Sequence, residues 1–304
     1  MSFFIVIRNR EAIGNLGKVI GVTFLWFFLQ PVLLKAAPIQ GLSPRTQFFL
    51  GTALRSFVKV SRAANGNAQR HIVQIPTIVN YNLATDAVAT LVVPYLIKEF
   101  RNPDKTHQDT RGVGDIRLIG KYRFFREDAP LGSKQMSISG GLELPTGNTT
   151  KRKDGVKLPP PRQLGSGGVD PFFAFAAGWN SGHHAIEGGT QVKYNSRHDG
   201  FRFGVESNYD ISYAYRIFPG WPVPNAQLNF LLELNGRHRE RNVSGSSKVR
   251  NSGRDTILLS PGIQYILFDN ALLEASFQYP VLEQVNGKQF HQDYTVLFGF
   301  RVLF

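Results

Sequence analysis

Basic side chains that share one face of an alternating segment are the residues of this chain best suited to chemistry. Arg117, Lys121 and Arg123 share one face of an alternating segment whose other face is apolar, and Arg55 and Lys59 show related spacing earlier in the chain. Confined in a water-filled passage, such charges would set a field that favours anions. We therefore predict a basic lumen constriction formed by Arg55, Lys59, Arg117, Lys121, Arg123, Arg202 and Arg237.

Acidic residues fall on the same polar faces and nearly balance the basic ones. They are Asp115, Glu143, Asp170, Glu187, Glu206, Asp210, Glu233, Glu274 and Asp293. Charges that are costly to bury must be either hydrated or paired. Two kinds of interior are therefore compatible with the sequence: a narrow aqueous pore, or a core filled by ion pairs.

A second basic group lies in polar segments between the alternating ones, in a chain whose formal net charge is +13. Its members are Lys151, Arg152, Lys153, Arg239 and Arg241. Clusters of this kind would hold the phosphates of lipopolysaccharide or steer anionic solutes. The basic residues are scattered and belong to no nucleic-acid-binding module, so we expect no nucleic acid as a partner.

Residue types used by hydrolases and metal sites occur only in small groups. Ser196, His198 and Asp199 share one polar turn, and His183 and His184 share another. Such combinations arise often by chance, and no second histidine cluster supports a metal site. The chain has no cysteine, which excludes thiol catalysis and Cys-based zinc sites. We expect no enzyme activity, no cofactor and no metal, with a hydrolase at one rim as the weaker alternative.

The elements that must position these residues are strands. In the last segment every second residue from Tyr294 to Phe304 is apolar or aromatic, and a period of two indicates a strand with one apolar face. An aromatic final residue on such a strand resembles the signal by which outer-membrane barrels are recognised for assembly. We assign that role, with contact to the assembly machinery, to Tyr294, Phe298, Phe300 and Phe304.

About twelve alternating segments of the length needed by tilted membrane strands follow one another along the chain. We therefore predict an all-β fold: a transmembrane antiparallel up-and-down β-barrel of about 12 strands, in residues 38–304. The connections Ser61–Arg70, Arg101–Gly112, Pro145–Gly168 and Arg239–Gly253 are long and polar, and they alternate with compact turns. Long outer loops and short periplasmic turns are typical of barrels in the bacterial outer membrane.

The N-terminus is predicted to be a signal peptide over residues 1–37. Arg8, Arg10 and Lys18 precede an apolar run, and Ala36 and Ala37 supply the small residues near a cleavage site. An inner-membrane anchor is the alternative. Because few residues separate Ala37 from the first strand, we expect no N-terminal plug in the barrel; a plug would have to come from Pro145–Gly168.

Three motifs carry a family resemblance. They are Gly112-Val-Gly-Asp-Ile-Arg-Leu-Ile-Gly-Lys-Tyr-Arg-Phe-Phe125, Gly141-Leu-Glu-Leu-Pro-Thr-Gly147 and Leu164-Gly-Ser-Gly-Gly-Val-Asp170. In these segments the chain resembles Gram-negative outer-membrane proteins grouped as transporters with the outer-membrane component of phenol meta-cleavage pathways. The resemblance implies a barrel with a transport role, and it carries over no catalytic residues.

The sequence thus favours an outer-membrane channel or transporter for passive or facilitated uptake of small molecules, anionic or aromatic ones included. Its expected surroundings are outer-membrane lipid and lipopolysaccharide, and its oligomeric state is left open. A non-conducting barrel, whose basic outer loops bind lipopolysaccharide or a partner, is the alternative. Neither the identity of the solute nor the openness of the lumen follows from the sequence.

Overall fold

The computed structural model describes residues 36–46, 50–104, 106–218, 226–268 and 270–304. The predicted signal peptide lies outside these residues except for Ala36 and Ala37, so its cleavage remains a prediction. No helix in the described part of the chain is long and apolar enough to span a bilayer, a result that leaves spanning by β-strands untouched.

Strands make up nearly all of the regular structure. In chain order they are β1 Thr52–Asn65, β2 Ala68–Asn82, β3 Ala87–Arg101, β4 His107–Val113, β5 Ile116–Ala129, β6 Gly132–Leu144, β7 Arg152–Lys153, β8 Val156–Lys157, β9 Asp170–Ser181, β10 His184–Lys193, β11 Arg197–His198, β12 Phe201–Arg202, β13 Glu206–Phe218, β14 Gln227–Arg239, β15 Val243–Ser244, β16 Ser247–Lys248, β17 Arg254–Phe268, β18 Ala271–Val285 and β19 His291–Leu303. A short 3₁₀ helix covers Pro160–Arg162.

The long strands pair antiparallel in chain order, and the sheet closes on itself because β1 pairs with both β2 and β19. β4 and β5 lie end to end against the two halves of β3, so together they fill one position in a wall of 12. At the seam, the backbone N–H of Phe304 donates to the carbonyl of Thr52 at 2.8 Å. Within the described residues, closure leaves the wall without an unpaired edge strand, as a bilayer requires.

The two faces of the wall differ as the alternation predicts. Phe298, on the outer face of β19, is 59% exposed, whereas its neighbour Leu297 and the inward Thr295 are each 1% exposed. Large apolar side chains point outward on the other long strands as well, among them Leu118, Phe173, Ile211 and Phe277. An apolar outer band around a polar interior is the arrangement of a transmembrane barrel. The predicted fold class and strand number are confirmed.

Two predicted loops are in fact strand. Residues of Ser61–Arg70 belong almost entirely to β1 and β2, which run on to a tight turn where Gly66 has φ +56°. Most of Arg101–Gly112 forms the end of β3 and β4. Their polar, turn-rich composition concealed strands that extend beyond the apolar band, where an outward polar side chain meets water instead of lipid.

The segment Pro145–Gly168 is a folded outer loop. Asp115, at its base, accepts the backbone N–H of Gly147 at 2.9 Å and that of Ser166 at 2.6 Å, which ties the two ends of the loop together. Thr110 donates to the carbonyl of Arg162 at 2.9 Å, so the loop packs against the outer end of the lumen.

Candidate functional site

The centre of the lumen is occupied by residues 36–46, which we call the lumen loop. It enters at the end of the barrel that carries the short turns, where Ala36 and His183 line a shared cavity. It returns to the same end, where Thr46 donates to the carbonyl of Thr85 at 2.7 Å. Short turns mark the periplasmic end. The lumen loop is therefore inserted from the periplasmic side, immediately before the first strand.

One carboxylate of the wall holds the tip of the lumen loop. Glu233 on β14 accepts the backbone N–H groups of Ile39 at 2.7 Å, Gln40 at 3.2 Å and Gly41 at 3.0 Å. The next N–H, from Leu42, donates to Asp210 on β13 at 2.9 Å. Successive N–H groups of this kind form an anion-binding concavity. Two buried or half-buried acids thus find their hydrogen-bond donors in the loop.

Basic residues of the wall bind the acceptors of the same loop. Arg55 donates to the carbonyl of Ile39 at 2.6 Å, and Lys59 donates to the side-chain oxygen of Gln40 at 2.9 Å. Lys121 donates to the carbonyl of Arg45 at 2.7 Å and more weakly to that of Ser43. Three of the predicted constriction residues therefore bind the lumen loop, Arg55 and Lys59 at its tip and Lys121 on its returning part.

Glycines on the inner face make room for the loop side chains. A Cβ added at Gly262 would lie 2.7 Å from Cδ1 of Ile39, one at Gly189 would lie 3.0 Å from Cβ of Leu42, and one at Gly178 would lie 3.1 Å from Cγ of Pro44. Separations of 3.0 Å or less are below normal carbon contact. The wall is thus shaped to fit the loop closely.

The expectation that the barrel has no N-terminal plug is wrong. Eleven residues suffice because the loop needs to reach only from the periplasmic mouth to mid-lumen and back. A further contact reinforces it: the amide of Gln264 both accepts the N–H of Ala37 at 3.2 Å and donates to its carbonyl at 2.9 Å.

Arg117 and Arg123 do not join Lys121 in one constriction. Arg117 pairs with Glu143 at 2.6 Å, and Lys193 reaches the same carboxylate at 3.2 Å. Arg123 lies toward the periplasmic end, where it pairs with Asp86 of the first short turn at 2.6 Å. This hydrogen bond is the main reason that the pKa of Asp86 is lowered. The three cations, spaced along one strand, have separate partners.

Two further predicted lumen residues lie near the outer end. Arg237 on β14 is 3.7 Å from a carboxylate oxygen of Glu206 and donates to Asn208 at 3.1 Å. Arg202 is placed wrongly by the prediction: it belongs to β12 in an outer loop, with its guanidinium 5.4 Å from the ring of Tyr194. The alternation in that segment continued past the end of the membrane strand.

Of the residues predicted to contact lipopolysaccharide, four lie in outer loops and one, Arg239, lies on a wall strand. Lys153 donates to the carbonyl of His107 and Arg152 to that of Gly155 at 2.9 Å, both in the outer loop, and Lys151 precedes them there. Arg241 donates to the side chain of Asn286 at 3.2 Å. The predicted placement of Arg239 in an outer loop is wrong. Arg239 ends β14, and its guanidinium pairs with Glu206.

The residues considered for a hydrolase do not form a nucleophile and base. The hydroxyl of Ser196 donates to the carbonyl of Val169, while Asp199 binds Lys157 at 2.7 Å and lies 3.5 Å from His198. The hydrogen bond from Lys157 is the main cause of the lowered pKa of Asp199. At the opposite end, His184 shares a hydrogen bond of 2.8 Å with the hydroxyl of Tyr213.

The aromatic residues of the last strand lie on its outer face. Phe298, Phe300 and the terminal Phe304 are exposed, and Tyr294 stacks on Phe277 with ring centroids 6.0 Å apart. This placement suits contact with lipid, and recognition by the assembly machinery remains a prediction.

Comparison with known proteins places the barrel in a family. The profile of the family named for the MetA-pathway of phenol degradation matches residues 51–285, which is most of the chain. The chain belongs to this family. Among solved structures, the family member resembles an outer-membrane channel from Pseudomonas putida F1, with 13% identity, 89% of this chain and 100% of that chain covered, and a TM-score of 0.67. The beta domain of the Bordetella autotransporter BrkA is also similar, with 12% identity, coverage of 84% and 99%, and a TM-score of 0.48.

No curated protein matches this family member significantly in sequence. The likeness to the Pseudomonas protein shows the fold, which agrees with the closed wall and apolar outer band found here. Together with the family, it places the protein in the bacterial outer membrane. The predicted family and location are confirmed.

Several residues of the site were not recognised from the family member's sequence. Glu233 and Asp210 appeared only as lumen acids, and Gln264 and Gly262 were not singled out. The one available signal was the composition of residues 38–44, where Pro38, Gly41 and Pro44 indicate an irregular segment with accessible backbone groups.

Proposed function

We propose that this protein is an outer-membrane channel for passive or facilitated uptake of small molecules, and that the lumen loop closes it. The observation that carries the proposal is the way the loop is held. Its described contacts with the wall are hydrogen bonds, ion pairs and apolar packing, and no part of the described loop pairs with a strand. A segment held in this way can leave without opening the sheet.

The barrel supports this function by its shape and charge. The wall stays closed without the loop, because its strands pair with one another all the way round. Arg117, whose side chain is 42% exposed, faces the outer half of the lumen. Charged groups lining a narrow passage determine which ions enter it. Together with Arg55, Lys59, Lys121 and Arg237, it would favour anions once the loop has moved.

Planar bilayers test this function with the refolded protein and with a variant that lacks residues 38–46, the part of the lumen loop that follows the predicted signal peptide. We expect brief openings from the intact protein and sustained current from the variant, with anion preference in a salt gradient. Absence of current from both proteins, when both insert and show heat-modifiable migration, would overturn the channel function. It would then favour the alternative of a non-conducting barrel whose outer loops bind lipopolysaccharide.

A further inference from the structure

The mid-lumen walls around the lumen loop carry opposite charges. Glu187, Asp210 and Glu233 lie on the consecutive wall strands β10, β13 and β14. Arg55 and Lys59 lie on β1, which is half-way around the barrel from β10. Nε of Arg55 also pairs with Glu274 on β18 at 2.6 Å, and its Nη2 is the group that donates to the loop. Between the two walls the loop directs N–H groups to Glu233 and Asp210 and the guanidinium of Arg45 to Glu187, while its carbonyl groups face the bases. These contacts hold the backbone at Ile39 in one orientation, with its N–H toward Glu233 and its carbonyl toward Arg55.

A single residue of the loop shows what these walls recognise. Ile39 donates its backbone N–H to Glu233 at 2.7 Å, and its carbonyl accepts from Arg55 at 2.6 Å. A free α-amino acid carries an ammonium and a carboxylate at these same two positions. Full charges would strengthen both contacts, because charge-assisted hydrogen bonds are about twice as strong as neutral ones.

The side chain of Ile39 lies in an apolar pocket. It packs with Ala214, Leu231 and Leu297, and Phe57 lies against the same cluster. Gly262 leaves the space that the end of the side chain fills. The pocket is about as large as an aliphatic side chain, so it would favour leucine or isoleucine over glycine by burying apolar surface.

Resting on the channel function proposed above, we propose that the seat of Ile39 is a binding site for a zwitterionic α-amino acid with an aliphatic side chain, accessible when the lumen loop leaves. Glu233 takes the ammonium, Arg55 takes the carboxylate, and the pocket of Leu231 and Leu297 takes the side chain. The lumen loop occupies the site in the closed channel by presenting the same groups within a peptide.

The test uses the variant lacking residues 38–46, reconstituted in vesicles, with flux measured for L-leucine, N-acetyl-leucine, leucinamide and glycine. We expect L-leucine to permeate about tenfold faster than each analogue at low concentration, since each lacks one of the three contacts. Glu233→Gln should abolish the preference over N-acetyl-leucine, and Arg55→Gln the preference over leucinamide. Asp199→Asn, which neutralises an exposed acid of an outer loop, should keep both preferences.

The outcomes separate this proposal from the channel function. Ion current with equal flux of all four solutes would overturn the amino-acid site and leave the channel function intact. Preferences that survive both Glu233→Gln and Arg55→Gln would also overturn the site. Absence of both current and flux would overturn the channel function itself.

Discussion

The carboxylate of Glu233 accepts the backbone N–H of Ile39 at 2.7 Å, although 194 residues separate the two in sequence. The contact joins the middle of the barrel wall to the tip of the lumen loop. Glu233 also accepts two further N–H groups of the loop, so we expect its loss to weaken the attachment of the loop.

Glu233→Gln should loosen the lumen loop without unfolding the barrel. The amide keeps an acceptor but loses the charge, and we expect the loop to be weakened by about 1–2 kcal/mol, or roughly 5–30-fold in its displaced population. The chain has no cysteine, so Ser43→Cys provides a unique thiol whose labelling by a water-soluble maleimide reports displacement. Glu206→Gln is the matched control, and equal labelling rates in the two variants would refute a special role for Glu233.

A larger side chain at Gly262, on the wall opposite Ile39, should displace the loop by steric contact instead of by loss of a hydrogen bond. Gly262→Val brings a Cβ within 2.7 Å of Ile39 Cδ1, whereas a Cβ at Gly140 meets its first neighbour only at 3.9 Å. We expect faster labelling at Ser43→Cys with Gly262→Val and no change with Gly140→Ala, because only the first forces atoms into the loop. Equal labelling rates in the two variants would mean that the loop does not need the space left by Gly262.

Neutralising the three cations of β5 one at a time should give unequal effects on selectivity. Arg117 faces the outer lumen, whereas Arg123 is 5% exposed and paired with Asp86 near the periplasmic end. We expect Arg117→Gln to lower the chloride-to-potassium permeability ratio by about half and Arg123→Gln to leave it nearly unchanged. Reversal potentials in a salt gradient measure this, and a larger effect of Arg123→Gln would contradict the charge placement.

The sequence predicted the wall well because its period of two is imposed by lipid on one face and water on the other. Phe298 and Thr295 illustrate this: their opposite faces follow directly from the alternation. The same rule failed for Arg202, because alternation continues beyond the bilayer, where neither face is constrained by lipid.

The lumen loop could not be predicted in this way. Residues 36–46 have no regular period, and their partners Glu233, Asp210 and Gln264 lie far away in sequence. The conformation is determined by hydrogen bonds between irregular backbone and the wall, and such bonds leave no pattern in the residue types. The ion-pair partners could not be predicted either, because the sequence places charges in the lumen without determining that Arg117 pairs with Glu143.

A charge on the outer face should destabilise the barrel in lipid. Phe298 lies near the middle of β19 and is largely exposed. Phe298→Arg should cost about 2–4 kcal/mol near the bilayer midplane, measured as a lower urea midpoint for unfolding from vesicles. Leu131→Arg, in a periplasmic turn, is the control and should change the midpoint little. Equal effects would place the apolar band elsewhere.

Gating of the channel by the lumen loop is tested most directly by a reversible lock. A Cβ at Gly41 would lie 3.3 Å from Cβ of Asp210, close to the separation in a disulfide. Since the chain has no other cysteine, Gly41→Cys with Asp210→Cys gives one bond that holds the loop in place. Single-channel current of this protein should be minimal when oxidised and should rise on reduction with dithiothreitol. The same current in both states would show that the loop does not gate the channel.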